Sequence, residues 1–318
     1  MLSIGSQINE VRIDGDLERL LADLESFRSF GLAAAEISAH GIDAIRNGRL
    51  DWRRTAEVRS ILNRFPFRYS VHAPNSLNLM EHDQFDLHIE VLRASLEFTR
   101  EIGGEVLVVH PGRYLVEEAF AVTSPFDPPE AEKERLRERE AEAVGRVAEE
   151  FPEVIIGLEN ARPYLHHSPY CYAEIPAELA RQVRRIGRRN VRITLDLGHL
   201  YMAARFYRLD PVREAAAVAD LVGHIHVHDN FGEAVYYSEK QQTHQLPFGR
   251  GDSHMPPGWG DIPLAALLEK LPAAYRGLLI IELRSRYFSA TGEAARNLRV
   301  LLTESQAPSS SVQQAAAR

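Results

Sequence analysis

Short apolar runs alternate with longer amphipathic stretches along almost the whole chain. The apolar runs are rich in valine, isoleucine and leucine, which is typical of parallel strands buried on both faces. Eight runs are predicted strands, over residues 2–8, 33–39, 68–73, 105–110, 154–159, 192–197, 222–228 and 278–283. The chain therefore predicts a repeated alternation of strand and helix.

Helical periodicity occupies the stretches between these runs. Gly31 and Gly103 follow the last periodic residues of two such stretches and are predicted to end those helices. The predicted helices cover residues 16–31, 51–65, 83–104, 129–151, 175–190, 210–222, 262–271 and 290–304. Eight strand–helix units match a single closed (β/α)8 barrel, the TIM-barrel fold of the α/β class, better than an open doubly wound sheet.

Size and composition fit one soluble domain. The chain has 318 residues, of which 45% are hydrophobic and 26% are charged, and a single barrel accounts for this length. We expect the barrel to cover residues 1–304. The polar, low-complexity residues 305–318 are predicted to form a disordered tail.

Cysteine content and charge limit the compartment and the partners. The single cysteine, Cys171, cannot form an internal disulfide, which fits a reducing cytoplasm. No apolar run reaches the roughly 18 residues of a membrane span, and the N-terminus lacks the pattern of a signal peptide. The net charge of −8 disfavours a broad nucleic-acid-binding surface. We therefore expect a cytoplasmic protein with a small-molecule substrate, as a monomer or an oligomer.

Acidic and histidine side chains occur at or just beyond the ends of most predicted strands. Burying such groups without a partner is costly, and the repetition from strand to strand indicates one shared partner, a multivalent cation. In TIM barrels the C-terminal ends of the strands form the active site. The sequence therefore predicts a metal site there, with the ligands His72, His110, Glu159, Asp196, His199, His226, Asp252, His254 and Glu282.

Local spacing refines this set of ligands. Asp196 and His199 lie where a strand end passes into a predicted loop, so both can reach one cation. Asp252 and His254 have the i, i+2 spacing that places side chains on one side of an extended segment. A mixture of carboxylates and imidazoles without cysteine suits zinc, manganese, iron or cobalt.

Three histidines alternate along the predicted strand at 222–228. His224, His226 and His228 point to the same side but stand at different heights. We expect His226 to be the ligand and His224 to lie deeper in a hydrogen bond. His228 is expected to support a ligand from behind.

Two long segments, residues 113–130 and 229–261, follow strands and belong to the same end of the barrel. Long loops at this end commonly shape substrate pockets. The second carries aromatic residues that suit stacking on a ring or, equally, anchoring of the loop: Phe231, Tyr236, Tyr237, Phe248 and Trp259.

These motifs resemble those of the xylose isomerase-like TIM-barrel superfamily, which includes endonuclease IV-type enzymes (AP endonuclease family 2) and sugar isomerases and epimerases. The resemblance extends over residues 2–302 and includes YSVHAPN, VLVVHPG, IIGLEN, ITLDLGH, HIHVHDN, GDSH and IIELRS. Members similar to endonuclease IV bind three zinc ions. The resemblance implies three sets of ligands here: His72 and His110 with a bridging Glu159; Asp196, His226 and Glu282; and His199, Asp252 and His254.

The resemblance also implies two alternative reactions. In a hydrolase, a metal cluster would activate water and clamp a phosphodiester. A sugar or keto-acid isomerase or epimerase would need one metal, and its two catalytic residues would be Glu159 and Glu282. The remaining ligands of that single metal would be Asp196 and His226. Because the other five predicted ligands are surplus to an isomerase, the sequence favours the hydrolase.

Zinc is the expected cofactor, with up to three ions, and manganese, cobalt, iron or magnesium are alternatives. A barrel that binds a small molecule without catalysis is the third hypothesis.

The substrate is expected to be small rather than a nucleic acid. Endonuclease IV-like proteins carry a tyrosine three residues after the first histidine, where this chain has Asn75. The negative charge also disfavours DNA, because DNA binding depends on neutralising phosphates. The resemblance implies a small phosphodiester, with the nucleotide loop of cobamides as one candidate, and a sugar is the alternative substrate. The predicted substrate contacts are Arg113, Asn75, Trp259 and Arg284.

Overall fold

Eight parallel strands close into a barrel in this computed structural model, which describes residues 2–80, 83–116, 119–120, 128–239, 245–272 and 274–306. The strands are β1 (Ser3–Ile8), β2 (Ala34–Ser38), β3 (Ile45–Arg46), β4 (Arg49–Leu50), β5 (Arg68–His72), β6 (Val106–Val109), β7 (Ile155–Glu159), β8 (Val191–Asp196), β9 (Val222–Val227) and β10 (Leu278–Ile281). β3 and β4 form a separate antiparallel hairpin. The other strands follow one another around the barrel in chain order, and β1 pairs with β10 to close it. The predicted (β/α)8 barrel is therefore confirmed.

Helices connect successive strands. They are α1 (Glu10–Ile13), α2 (Leu17–Ser29), α3 (Trp52–Leu62), α4 (Phe85–Glu101), α5 (Glu130–Glu150), α6 (Pro176–Ile186), α7 (Leu197–Tyr207), α8 (Pro211–Val218), α9 (Leu264–Leu268) and α10 (Thr291–Gln306). Asp16 and Asp51 cap α2 and α3 by accepting backbone N–H groups of their first turns. Gly31 and Gly103 follow α2 and α4 with φ of 69° and 71°, which confirms the predicted helix ends.

The segment after β8 differs from its prediction. The sequence predicts a loop there, but the structure has the helix α7. Leu197, Leu200 and Met202 are all buried, as are the small residues between and after them. Because apolar residues surround this helix, it lacks the polar stripe by which an amphipathic helix is recognised. The short α1 and the β3–β4 hairpin are also absent from the predictions.

The barrel interior changes from apolar to polar along its axis. Ala34, Leu278 and Ile280 form a small apolar cluster near the N-terminal ends of β2 and β10. Further along the strands, Glu36 and His224 are fully buried at 0% exposed. A larger, continuous apolar core packs the strands against the helices. The fold therefore surrounds a polar interior layer with apolar packing, and this layer supports the C-terminal rim.

Parts of three predicted segments lie outside the described residues. These are residues 117–118 and 121–127 of the first long loop, 240–244 of the second, and 307–318 of the tail. Helix α10 continues to Gln306, so Ser305 and Gln306 belong to the last helix rather than to the predicted tail. Within the described ranges, no helix is both long enough and apolar enough to cross a membrane.

Candidate metal centre

The C-terminal ends of the barrel strands bring the predicted ligands together inside the rim. His72 is the last residue of β5, Glu159 of β7 and Asp196 of β8. Glu282 directly follows β10, and His226 lies one residue before the end of β9. Parallel pairing places Asp196 beside His226. The register of the strands therefore sets the height of these side chains.

Four side chains form what we call the inner group: Glu159, Asp196, His226 and Glu282. One potential ligand atom of each lies within 4.8 Å of the others. The Nδ1 atom of His226 is 3.2 Å from Glu159 Oε1 and 3.2 Å from Glu282 Oε2. Asp196 Oδ2 lies 3.9 Å from the same nitrogen. Three carboxylates this close in a buried site repel one another, so the group needs added positive charge.

The donor atoms of the inner group fit a divalent cation. Glu159 Oε2, Asp196 Oδ2 and Glu282 Oε2 are buried, and none of them has a hydrogen-bond partner among the residues that the structure describes. Because buried polar atoms are normally satisfied, these oxygens favour a cation site: those of Asp196 and Glu282 lie near His226, and that of Glu159 lies near His72 and His110. Carboxylate and imidazole ligands together suit zinc, manganese, iron or cobalt.

Three further groups adjoin the inner one; Glu36, His224 and His226 form one deeper in the barrel, and the other two lie at the rim. The first outer group contains His72, His110 and Glu159, so Glu159 is shared with the inner group. The second outer group contains His199, His228, Asp252 and His254. The structure thus brings all the predicted ligands into the three sets that the resemblance implies, and it adds His228. Their function as metal ligands remains a prediction.

Backbone carbonyls orient three of the outer histidines. His72, His199 and His254 place Nδ1 at 2.8, 3.0 and 3.1 Å from a carbonyl oxygen. Because a carbonyl only accepts, Nδ1 carries the hydrogen and Nε2 of the neutral ring presents a lone pair. The Nε2 atom of His72 lies 3.5 Å from Glu159 Oε2. The Nε2 atoms of His199 and His254 lie 3.3 Å and 2.8 Å from Asp252 Oδ2, respectively. Two acceptors this close need a proton or a cation between them.

Arg162, which is absent from the predicted site, borders the second outer group. Its Nε lies 3.3 Å from Asp252 Oδ2, and its Nη2 donates to the hydroxyl of Tyr164 at 2.8 Å. Since Asp252 is only 6% exposed, the guanidinium supplies positive charge where water has little access. Its position three residues after Glu159 is the sequence feature that indicates its proximity to the site.

Glu36 is also absent from the predicted site. It lies in the middle of β2, inside the barrel. Its Oε2 is 2.9 Å from His224 Nε2, and its Oε1 is 3.0 Å from His226 Nε2. A single acid within the apolar run AAAEISA is the sequence feature that indicates it. Because it lies in mid-strand, Glu36 is not among the ligands predicted at strand ends.

The three alternating histidines stand one above another. His224 bonds to Glu36 below the inner group, as the sequence predicts for the deepest of the three. His226 belongs to the inner group. His228 directly follows β9, and its ring stacks on that of His254 with a centroid distance of 3.9 Å. It belongs to the second outer group, and its Nε2 also lies 3.1 Å from Oδ1 of the predicted ligand Asp196, so its support of a ligand stays a prediction.

The backbone of two closely spaced pairs, Asp196 with His199 and Asp252 with His254, differs from its predicted conformation. Asp196 is the N-cap of α7 and accepts the backbone N–H of His199 at 2.6 Å, so a helical turn rather than a loop sets their spacing. His254 has a φ of 43°, so the segment from Asp252 to His254 is not extended. Their side chains nevertheless meet at Asp252 Oδ2 and His254 Nε2.

Burial and charge act against each other in the titration of the site. Burial opposes the charged forms of His72 and His199, but nearby carboxylates outweigh it and raise their pKa values to about 9 and about 10. Burial also opposes ionisation of Glu159, yet His226 and the hydrogen bonds of neighbouring imidazoles hold the pKa of Glu159 well below its usual value. Without a cation, protons on histidines therefore balance the charge of the carboxylates.

One predicted substrate contact lies beside these groups. Arg113 is 6% exposed and lines a narrow cavity together with Arg162, Glu159 and His199. The cavity lies between the segments that follow β6 and β7. Arg113 Nη2 donates to the backbone carbonyl of Leu77 at 3.3 Å, so this side chain also ties the segment after β6 to the one after β5.

The other three predicted contacts are placed differently. Arg284 donates to the backbone carbonyl of Asp252 at 2.6 Å and so holds the loop that carries this acid. Asn75 is exposed. Trp259 donates to Glu293 Oε1 at 2.8 Å, which anchors the second long loop to α10.

An aromatic cluster joins the segments that follow β6, β7 and β9. The ring of Phe120 lies 5.8 Å from Tyr164, 5.2 Å from Tyr170 and 5.2 Å from Tyr237. Tyr237 therefore anchors the second long loop. Phe248 of the same loop is instead 72% exposed.

Replacing Gly198 with alanine should disturb the second outer group. An added Cβ would lie 2.0 Å from the ring of His228, so the imidazole must move. We expect Gly198→Ala to destabilise the protein by about 1–3 kcal/mol and to weaken metal binding, as measured by thermal denaturation with and without zinc. Gly145→Ala is the matched control, because the nearest atom to its new Cβ is at 3.8 Å. Equal stability of the two variants would contradict this.

Metal binding should strengthen as the pH rises. Burial opposes the charged form of His226, but nearby carboxylates raise its pKa well above the usual value, so a cation in the inner group must displace a proton from this ring. Each displaced proton increases the apparent affinity by about tenfold per pH unit below the pKa of the ring. Zinc titrations from about pH 6 to about pH 9 test this.

The metal-free protein should show the opposite trend. Histidines with a raised folded-state pKa stabilise the fold fully below their unfolded-state pKa of about 6.5. This stabilisation is lost as the pH rises through about 9 and about 10. Thermal denaturation in chelator should therefore occur at lower temperature toward alkaline pH. A zinc affinity that falls with pH would contradict both expectations.

Comparisons of the sequence and of the structure with known proteins point to the same family. The sequence profile of the xylose isomerase-like TIM barrel matches residues 25–304. An uncharacterized protein of Methanocaldococcus jannaschii is 26% identical over 272 residues, which are 83% of this chain and 79% of that protein.

Solved structures with the same fold cover nearly the whole chain. A D-tagatose 3-epimerase-like protein is similar with a TM-score of 0.69 and 22% identity, over 96% of this chain and 100% of the other. A xylose isomerase domain protein from Alicyclobacillus acidocaldarius has a TM-score of 0.67 and 20% identity, over 96% and 100% of the two chains. The 3-keto-D-glucoside 4-epimerase of E. coli has a TM-score of 0.64 and 16% identity, over 95% and 100%. Profile and fold agree, and the chain belongs to the xylose isomerase-like TIM barrel family.

Proposed function

We propose that this protein is a metal-dependent isomerase or epimerase of a small sugar or keto acid, with Glu159 and Glu282 as its proton-transferring residues. The observation that carries the proposal is the position of His226 Nδ1, which lies 3.2 Å from a carboxylate oxygen of each glutamate. Two glutamates thus flank a single cation position. This is the arrangement that the transfer of a proton to and from a carbon beside a carbonyl requires.

The relatives of known activity support this function. They are named as acting on sugars, and the similar structures include a D-tagatose 3-epimerase-like protein and a 3-keto-D-glucoside 4-epimerase. None of the relatives reported above is named as a phosphodiesterase. The order of the two hypotheses is therefore reversed from that favoured by the sequence, which ranked the hydrolase first.

The residues of the inner group have distinct tasks in the proposed reaction. A divalent cation bound there would polarise the substrate carbonyl and hold a neighbouring hydroxyl group. Asp196 and His226 serve only to hold the cation. One glutamate accepts the proton of the adjacent carbon on a carboxylate oxygen. The other glutamate, which has taken up a proton from solvent, donates it to carbon, and the first then releases its proton to solvent. If the proton is donated to the same carbon from the opposite face, the configuration of that carbon is inverted and the composition of the substrate is unchanged.

The neighbouring cavity favours a substrate with an anionic group. Arg113 and Arg162 both line it, next to Glu159. A guanidinium group binds phosphate and carboxylate with paired hydrogen bonds. We therefore favour a sugar phosphate or a keto acid over an uncharged sugar.

Hydrolysis of a small phosphodiester is the second candidate. It is favoured by the orientation of His72, His199 and His254, whose Nε2 atoms face carboxylates as ligands of further cations would. Up to three zinc ions would then be bound, and they would activate water and clamp the phosphodiester.

The charge near Asp252 favours the isomerase over the hydrolase. Asp252 has the guanidinium of Arg162 at 3.3 Å, so a positive charge of the protein already faces the carboxylate of the second outer group. A cation in that group would also be repelled by Arg162. One metal ion per chain is accordingly the proposed stoichiometry, and its identity is left to measurement.

Metal content and paired variants should separate the two reactions. We expect one divalent ion per chain, interconversion of a ketose or its phosphate, and no cleavage of a chromogenic phosphodiester. Glu159→Gln and Glu282→Gln should each slow isomerisation by about 10²–10⁴-fold, because each removes a proton-transferring group. His254→Ala should retain activity within about tenfold, and Glu178→Gln on α6 is the surface control. The assays are metal analysis and steady-state kinetics.

The opposite result is equally clear. Three ions per chain, with phosphodiester cleavage that His254→Ala abolishes, would establish the hydrolase. Failure to bind any divalent metal would exclude both reactions as proposed.

Arg162→Gln should discriminate between charged and neutral substrates. A charge-assisted hydrogen bond contributes about 1.5–3 kcal/mol, so kcat/KM for a ketose phosphate or keto acid should fall roughly 10- to 100-fold. For the matching neutral ketose we expect little change. Arg189→Gln is the control, because Arg189 is an exposed arginine just before β8. An equal loss on both substrates would contradict an anion-binding function for Arg162.

A further inference from the structure

Glu36 is a buried acid in the middle of a barrel strand. It is 0% exposed, in a strand whose other residues are alanine, isoleucine and serine. A carboxylate at such a site is strongly disfavoured unless several donors compensate it. Its presence therefore calls for a physical explanation in terms of what its oxygens contact.

Three donors surround the carboxylate of Glu36. His226 Nε2 lies 3.0 Å from Oε1, and His224 Nε2 lies 2.9 Å from Oε2. The hydroxyl of Ser70 also donates to Oε2, at 2.9 Å. An ionised carboxylate only accepts hydrogen bonds, so both imidazoles carry their hydrogen on Nε2.

The bond to His226 determines what the other side of that ring presents. With its hydrogen on Nε2, the neutral ring of His226 has its lone pair on Nδ1. Nδ1 is the atom that lies 3.2 Å from both Glu159 Oε1 and Glu282 Oε2. The ring thus connects Glu36 on one side with the inner group on the other.

We propose that Glu36 is a positioning residue that fixes the ring orientation and tautomer of His226, so that Nδ1 is presented to a cation in the inner group. This rests on the proposal that the inner group binds a divalent cation, and not on which reaction the cation serves. A carboxylate behind a histidine ligand also increases its basicity, and loss of such a partner typically lowers metal affinity about 10- to 100-fold.

His224 and Ser70 have a supporting function in this arrangement. Both contact Oε2 of Glu36, and His226 Nε2 lies 3.0 Å from Oε1 and 3.3 Å from Oε2. Neither belongs to the inner group. They therefore orient the carboxylate, and the loss of Ser70 alone removes one hydrogen bond without changing the partner of His226.

The test measures metal binding rather than activity. Co²⁺ is the probe, because its visible absorption spectrum reports the ligands and their geometry. Glu36→Leu removes the acceptor and the charge, whereas Glu36→Gln keeps one acceptor oxygen without the charge. Ser70→Ala is the matched control. Each full-length variant is titrated with Co²⁺ after its fold has been checked by circular dichroism.

We expect a graded loss of Co²⁺ affinity. Glu36→Leu should bind about 10- to 100-fold more weakly with a changed spectrum. Glu36→Gln should bind more weakly than wild type, by less than Glu36→Leu, and Ser70→Ala should stay within about threefold. If Glu36→Leu does not fold, Glu36→Gln alone decides the question.

An unchanged Co²⁺ affinity and spectrum in Glu36→Gln would overturn the proposal, as would an equal loss in Ser70→Ala. These outcomes are independent of the proposed function. A graded loss of affinity in a protein without isomerase activity would remove the isomerase and leave the assignment of Glu36. If the wild-type protein is an active isomerase but the Glu36 variants bind Co²⁺ with unchanged affinity, the assignment of Glu36 is rejected and the proposed function stands. A wild-type protein that binds no Co²⁺ would reject both proposals.

Discussion

The buried negative charge around His226 is the constraint on which this site depends. The carboxylates of Glu159, Asp196 and Glu282 lie near Nδ1 of its ring, and the carboxylate of Glu36 lies near Nε2. Carboxylates this close are stable inside a protein only with positive charge between them. Protons on histidines can provide that charge, and so can a cation. Competition between the two links metal binding to pH.

The closed barrel makes this concentration of charge sustainable. Its strands hold the acids at fixed heights, and apolar packing outside the barrel compensates for a polar interior. Within this framework, small differences distinguish the two reactions. The isomerase uses only the inner group, whereas the hydrolase also needs the outer histidines to bind cations. Arg162 beside Asp252 is the feature that changes the charge balance between them.

Much of the fold and part of the candidate site could be predicted from the sequence. Strands buried on both faces are continuous apolar runs, so all eight barrel strands are recognisable. Their polar ends, together with Asp252 and His254 of the second long loop, give the nine predicted ligands that the structure brings together. Helix α7 was not recognisable, because it is apolar on nearly all sides. The preference for a hydrolase was not supported, because a count of potential ligands contains no information about the charges that surround them.

The sequence by itself determined the alternation of strands and helices and the composition of the rim, since both depend on local patterns of apolar and polar residues. Only the tertiary structure decided which side chains contact the same imidazole ring, contact the same carboxylate or line the same cavity. Glu36 and His224 are 188 positions apart in the chain, yet they hydrogen-bond across the barrel interior. Arg162 meets Asp252 in the same way, between loops of different strands. Such pairs form because closing the barrel brings distant strands to a common axis, and no local pattern records that geometry.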